Sequence, residues 1–371
     1  MTGKLNTLVK STGLLLCISS AVVNAQILQD TSAMNLVRKD IDYIYNLEFD
    51  NAIKVYTEIA RLYPDHPILS LLKGMMEYWE NYPLLISNPS HASFEEDMRE
   101  CIKLSEGNNK PDFEAEYLLA DLCARGMLLT YYEDNNIIAE VIHLTIGTYR
   151  HLKRSFNFTS VCADLFYFTG IYNYYREAYP KIYPVYKPLA LLFPPGDMET
   201  GIKELQMAAS SSMVMRAESC SLLAWIYIDF ENKLPQGLYY CKLLSDQYPG
   251  NSAFLEMYIN CLLLSKQYDE AEKLISASYE KPGNNYFQAQ LTIYEGILQE
   301  KKYHNYKLAQ DYYNKGINDI SLFGKYGNEN AAYAYFGLSR ISETGGEKKA
   351  SKMFRKAALK LADFKKNDFD N

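Results

Sequence analysis

Between Pro235 and Gly283 the sequence returns on itself after 34 residues. Gly237-Leu238-Tyr239-Tyr240-Cys241 runs on to Tyr248-Pro249, and Ala271-Glu272-Lys273-Leu274-Ile275 runs on to Pro282-Gly283, so the small residue moves from 237 to 271 and the closing proline or glycine from 249 to 283. A unit of that length holds two helices, and each buries only one face, so neighbouring units must stack to complete a core. The step therefore points to an array of supersecondary units rather than one globular core. Arrays of this kind bind other molecules far more often than they do chemistry.

The grammar of the unit recurs. Met34, Val37, Ile41, Ile44 and Leu47 step by three and four, one apolar stripe of a helix. After a turn at Glu48-Phe49-Asp50, Ala52, Val55, Tyr56 and Ile59 mark a second helix that Pro64 stops. The small residue at 52, the aromatic at 56 and the proline at 64 make this helix pair resemble a tetratricopeptide repeat (TPR). The same grammar returns at Gly201, Leu205 and Ala208, at Gly237, Cys241 and Pro249, and at Ala271 and Pro282. It follows again at Ala309, Tyr313 and Gly316, and at Ala350, Phe354 and Ala357. The first helices of these pairs then fall near 214–230, 251–265, 285–300 and 329–342, with Gly296 and Gly337 where the partner helix must approach closely. The resemblance covers 34–64 and about 200–362; residues 67–199 follow it loosely. It implies an all-α, TPR-like α-solenoid of antiparallel helix pairs, closed by a Lys-rich capping helix over 348–364 and the polar run Lys365-Lys366-Asn367-Asp368.

The middle of the chain reads as long helices over 91–106, 111–131, 135–155 and 158–178. Pro180, Pro184, Pro188, Pro194 and Pro195 then exclude a continuous helix. The segment is apolar and aromatic, which predicts an ordered Pro/Tyr-rich insertion at 179–197 between an irregular N-terminal helical region (26–178) and a C-terminal array (198–371). Its stretch from Tyr172 to Leu205 resembles a pattern of exported bacterial repeat proteins, which brings no activity with it.

Residues 1–25 read as a signal peptide: Lys4 and Lys10, a short apolar run from Leu14 to Val23, and the small-residue site Val23-Asn24-Ala25. Cleavage after Ala25 sends the product to the periplasm or outside the cell. The alternative, a lipoprotein anchored through Cys17, has Leu16 where a small residue is normal. No later segment is apolar enough to predict a transmembrane helix. Cleavage removes two lysines and no acid, taking the charge from −7 to −9, which disfavours nucleic acid as a partner. The remaining cysteines, Cys101, Cys123, Cys162, Cys220, Cys241 and Cys261, form no C-x-x-C and sit in apolar helical contexts, where a thiol packs like alanine. Export permits disulfides, but pairing cannot be read from sequence.

Catalytic signals are thin. Glu140 and His143 have the spacing of half a carboxylate-bridged di-iron site, and no second such pair follows. There is no G-x-S-x-G, H-E-x-x-H or phosphate loop, so no catalytic residue, metal or cofactor is expected. The unusual feature is 33 tyrosines against two tryptophans. Tyr172, Tyr175, Arg176, Tyr179, Tyr183, Tyr186 and Lys187 are the candidate binding residues, since tyrosine offers a flat apolar face with a polar tip and the cations can meet a carboxylate. The competing reading is that these tyrosines fill gaps between helices. Aligned on Ala271, the inner positions of one unit are Ala253, Glu256, Asn260, Leu263 and Leu264; aligned on Gly237, those of the preceding unit are Ser219, Leu222, Ile226, Asp229 and Phe230. Only Asn260 suits a clamp for C-terminal carboxylates, so an apolar groove for a helix or extended peptide is expected. The leading expectation is a non-enzymatic envelope scaffold holding a protein or peptide on its concave face. A glycan- or peptidoglycan-binding module is the alternative, and a helical metal-dependent enzyme around Glu140 and His143 the third reading.

Overall fold

The computed structural model describes residues 26–107, 110–280, 284–362 and 369. The expected signal peptide with Cys17, the Pro282-Gly283 corner and the polar run from Lys365 to Asp368 lie outside them. Among the described residues the chain is all-helical, without a strand, and no helix is long and apolar enough to cross a membrane.

The first pair shows how the sequence makes its elements. Asp30 caps α1 (Thr31–Tyr45): its Oδ1 accepts from the N–H groups of Ser32 at 2.8 Å and Ala33 at 3.2 Å. The predicted stripe Val37, Ile41 and Ile44 is buried against Ala52, Val55 and Ile59 of α2 (Phe49–Leu62), which ends at Tyr63 before Pro64. Then follow α3 (Ile68–Glu80), α4 (Ser90–Glu106), α5 (Glu114–Asp134), α6 (Ile138–Ser155), α7 (Leu165–Ile182) and the short α8 (Lys187–Ala190). Beyond the prolines come α9 (Met198–Ser211), α10 (Arg216–Trp225), α11 (Leu234–Gln247), α12 (Ser252–Leu264), α13 (Tyr268–Ser278), α14 (Asn285–Lys301), α15 (Tyr306–Ile320), α16 (Asn328–Thr344) and α17 (Lys348–Leu361). Helices pack as neighbouring pairs, and alternate helices also touch: α1 on α3, α3 on α5, α12 on α14 and α14 on α16.

The hairpin turns share a local geometry. Leu47, Asn136, Lys266 and Gly346 each take a positive φ two residues before the next helix begins. In each case the following N–H reaches back five residues: Glu48 to Tyr43, Ile137 to Tyr132, Gln267 to Leu262 and Glu347 to Ser342, at 2.8–2.9 Å. This is a Schellman-type stop, which satisfies the last carbonyls of the first helix and reverses the chain.

Two expectations need correcting. The helix predicted over 158–178 starts only at Leu165. Asp164 is drawn into the core, where its carboxylate accepts from the N–H groups of Met213 (3.0 Å), Val214 (2.5 Å) and Met215 (2.9 Å), ahead of α10. Nor does the chain break at Tyr179: α7 runs through Pro180 to Ile182. The proline falls in the last turn, where few bonds remain to lose, and Tyr183 N–H still closes on Tyr179 O at 2.8 Å.

The N-terminal helices also meet the C-terminal ones. Tyr248 donates to Asp42 Oδ1 and the Asn251 amide to Tyr45 O, both at 2.8 Å. Farther on, the Asn284 amide donates to Tyr82 O at 2.9 Å and Tyr326 to Leu84 O at 3.3 Å. Between these two seams lies the groove described next. The six cysteines from Cys101 to Cys261 are buried free thiols.

Candidate functional site

Alternate helices supply one wall of the groove. On α10, Ala217, Glu218, Ser221, Leu222 and Trp225 line it, on the spacing that holds side chains to one helix face. The helix then widens into a π turn over Ile226–Phe230, with Glu231 N–H bonded to Ile226 O at 2.9 Å. The extra residue in this turn carries Asp229 and Phe230 onto the lining. Ala253, Glu256, Met257 and Asn260 follow from α12, Phe287 and Gln290 from α14, and Glu329, Asn330 and Tyr333 from α16. The remaining wall comes from the N-terminal helices: Trp79, Tyr82, Thr130, Glu133 and Asp134. Tyr167, Tyr175, Tyr179 and Tyr183 line one end. Two adjoining cavities of about 570 and 430 Å³ make up the groove, sharing Trp79, Thr130, Glu133, Ser221, Trp225 and Phe254.

Both tryptophans of the chain are therefore in this lining. Trp79 is held by Tyr82 at 5.3 Å between ring centroids, Tyr45 at 5.5 Å and Phe254 at 5.6 Å. Trp225 stays 43% exposed.

The described lining is rich in acidic side chains. Glu133, Asp134, Glu218, Asp229, Glu256 and Glu329 line the groove, and Lys325 is the only lysine or arginine among the described lining residues. That lysine is engaged with Glu133, donating to its Oε1 at 3.1 Å and its carbonyl at 3.2 Å. Glu256 accepts from the Tyr294 hydroxyl and from the Asn330 amide at 3.5 Å. Gln290 donates to Asn330 Oδ1 at 3.2 Å, and the Asn260 amide to the Tyr333 hydroxyl at 3.4 Å. Three buried polar atoms of lining residues have no hydrogen-bond partner: Glu218 Oε2, Asn260 Oδ1 and the Tyr45 hydroxyl. Burial pushes Glu218 up to about 8. It also raises Glu256, against the hydrogen bonds from Tyr294 and Asn330.

The structure divides the candidates taken from the sequence. Tyr175, Tyr179 and Tyr183 line the groove's end, and Tyr186 is exposed beside them, its ring 5.3 Å from Tyr179. Tyr172 is engaged elsewhere, donating to Pro194 O at 2.6 Å and packing on Phe156. Arg176 donates to Phe193 O at 3.2 Å and pairs with Glu177 at 3.0 Å, which fastens the Pro-rich segment to α7. Lys187 is exposed on α8. Of the inner positions read from the repeat, Ala253, Glu256, Asn260, Leu222, Asp229 and Phe230 line the groove. Ser219, Ile226 and Leu263 are instead buried, and the expected apolar surface is acidic and aromatic. Trp79, Glu133, Glu218 and Trp225 were missed; the rarity of tryptophan was the signal that pointed to two of them.

The metal reading finds no geometry to support it. Glu140 pairs with Arg99 at 3.2 Å and His143 is exposed. His151 Nδ1 lies 2.5 Å from Asp121 Oδ2, a carboxylate that Arg125 Nε also grips at 2.9 Å. Among the described residues no group of three or more His, Cys, Asp or Glu side chains is placed to hold a metal ion. No protein-family model matches the chain and no curated protein is detectably similar to it, so what the groove holds has to be argued from its own chemistry.

Proposed function

We propose that this protein is a non-enzymatic scaffold of TPR-like α-solenoid type, exported to the periplasm or secreted, that holds a protein or peptide partner in its groove. The solenoid reading is supported by the recurring stop at Leu47, Asn136, Lys266 and Gly346 and by the contacts between alternate helices. The observation that carries the binding reading is the groove itself. Its lining draws on four helices, α10, α12, α14 and α16, an arrangement that suits an extended segment better than a compact metabolite.

A photo-crosslinking residue placed at Met257 or Leu222 in the cell that makes the protein tests this. A discrete partner band is expected from both positions and none from Lys242, which is exposed on α11 and is not a lining residue. Equal labelling from Lys242, or no band from either groove position, would end the proposal. A glycan strand is the second reading, favoured by Trp225 and Trp79 beside the amides of Asn260, Gln290 and Asn330. It would give no protein band, but would retain the protein on immobilised glycan.

A further inference from the structure

α6 is packed on one side only. Val141, Leu144 and Leu152 lie against the core, where the helix meets α5 and α7, yet Ser155 is its one buried residue. Ile138, Ile142 and Ile146 step by four along another side, and each is more than half exposed. The Pro-rich segment adds to them. Phe193 packs on Tyr149 of α6 with ring centroids 4.9 Å apart, and Tyr149 stands one turn beyond Ile146. The two residues before Phe193, Leu191 and Leu192, are 82% and 76% exposed, and Val185 and Leu189 of the same segment are also more than half exposed. A lone exposed isoleucine needs no account, but seven aliphatic side chains on two segments that touch do.

The charge beside them is opposite to that of the chain. Between Ile138 and Phe193 there are six lysines and arginines to three aspartates and glutamates, in a protein of net charge −7. All three acids are engaged: Glu140 pairs with Arg99, Glu177 with Arg176, and Asp164 accepts from backbone inside the core. Glu106 and Glu114, from the neighbouring helices, are taken by Arg125 and Arg154. Arg150 continues the isoleucine stripe four residues after Ile146, and Lys153 follows one turn later. These two and Lys187 are exposed and form no ion pair among the described residues.

This chemistry selects the partner. Protein interfaces are anchored by tryptophan, tyrosine and arginine, and leucine and valine are under-represented among their hot spots. Aliphatic side chains beside long-stemmed cations match the surface of an anionic bilayer instead, where the first enter the acyl boundary and the second stay with the headgroups. We propose that the face made by α6 and the Pro-rich segment docks the protein onto an anionic lipid surface, with Ile138, Ile142 and Ile146 entering the boundary and Arg150, Lys153 and Lys187 meeting the phosphates. None of these residues lines the groove, so this contact is independent of what the groove holds.

The protein, purified from the cell that makes it, is floated on a density gradient with vesicles of phosphatidylcholine alone or mixed equally with phosphatidylglycerol. Recovery with the mixed vesicles is expected, falling as salt rises, and little with phosphatidylcholine alone. Ile142→Gln and Ile146→Gln, at exposed positions where glutamine suits the helix, should each weaken binding about tenfold. Lys153→Gln should weaken it about fivefold. Ile53→Gln makes the same exchange at an exposed site on α2 and should leave binding unchanged. An equal loss with Ile53→Gln would reduce the effect to non-specific adsorption and overturn the proposal. Equal recovery on phosphatidylcholine alone would overturn it as well, since the cations would then contribute nothing. If no vesicle is bound and sedimentation velocity shows a dimer that Ile142→Gln takes apart, the face belongs to a second copy and the lipid reading falls. A monomer that binds neither vesicle would end it too.

Discussion

Two buried aspartates show how much depends on the atoms around one carboxylate. Asp164 is inside the protein, where three backbone N–H groups point at it; burial still raises its carboxyl against them, and it holds the approach to α10 against the start of α7. Asp40 on α1 is equally buried, but neither of its oxygens has a partner. Burial alone pushes it up from 3.8 to about 7. Its charged neighbourhood includes Tyr56, Lys73 and Asp97; Lys73 is committed to Asp97 at 2.8 Å. The sign follows from proton counting. Between pH 4 and 7 the folded protein keeps the Asp40 proton and the unfolded chain releases it, so stability falls as pH rises, by up to about 1.4 kcal/mol per unit. Asp40→Asn removes that slope. Urea unfolding at pH 5 and pH 7 should show the variant gaining on the parent as pH rises, by about 2 kcal/mol over the interval; parallel curves would place a cation or water beside Asp40.

At the scale of the element, packing turns on which small residues face a ring. Tyr313 of α15 lies between Gly296 of α14 and Gly337 of α16: a methyl on either glycine would come within 2.7 Å of the ring. Its hydroxyl donates to Glu300 Oε2 at 2.7 Å, and Arg340 grips the same carboxylate at 2.7 and 2.9 Å. Gly126 of α5 has no atom near the position its methyl would take. Alanine favours a helix over glycine by about 1 kcal/mol, while forcing a methyl into a filled core costs about 1–3 kcal/mol. Thermal melts should therefore rise for Gly126→Ala and fall for Gly337→Ala, and a rise in both would mean Tyr313 moves aside freely. This arrangement was legible in advance: Gly296, Gly337 and Tyr313 stood at the repeat's small and aromatic positions, and the helices over 200–362 lie close to where the periodicity put them. Pro180 misled, because a proline states what the backbone lacks and not whether the helix has already reached its last turn. Ser219 and Ile226 misled because repeat register assumes a regular α-helix, and the π turn after Trp225 adds a residue. Tyr82 and Glu133 were beyond reach. They come to the groove through contacts some 200 residues apart in the chain, which local periodicity does not record.

Those distant contacts govern the behaviour of the whole molecule. Helical hairpins that touch only their neighbours come apart in segments, since nothing ties one end to the other. Here Asn251 does two jobs: its Oδ1 caps α12 through Ala253 N–H at 2.9 Å, and its amide holds Tyr45 O of α1 at 2.8 Å. Tyr248 reaches Asp42 beside it, and Gly250 N–H reaches Asn46 Oδ1 at 2.9 Å. The aromatic rings of Tyr45, Trp79, Tyr248 and Phe254 pack across the same seam. Losing a buried hydrogen bond and a helix cap together costs about 2–3 kcal/mol. Asn251→Ala should therefore do more than lower the melting temperature. In native-state hydrogen exchange, amides of α1–α3 are expected to open at lower free energy than in the parent, while those of α14–α16 keep their protection. Because Trp79 stands on the N-terminal side of the groove and Trp225 on the other, the same opening should also shift tryptophan emission before the rest of the protein unfolds. If α1–α3 and α14–α16 lose protection equally, the seam belongs to one cooperative core, and the groove opens only when the whole protein does.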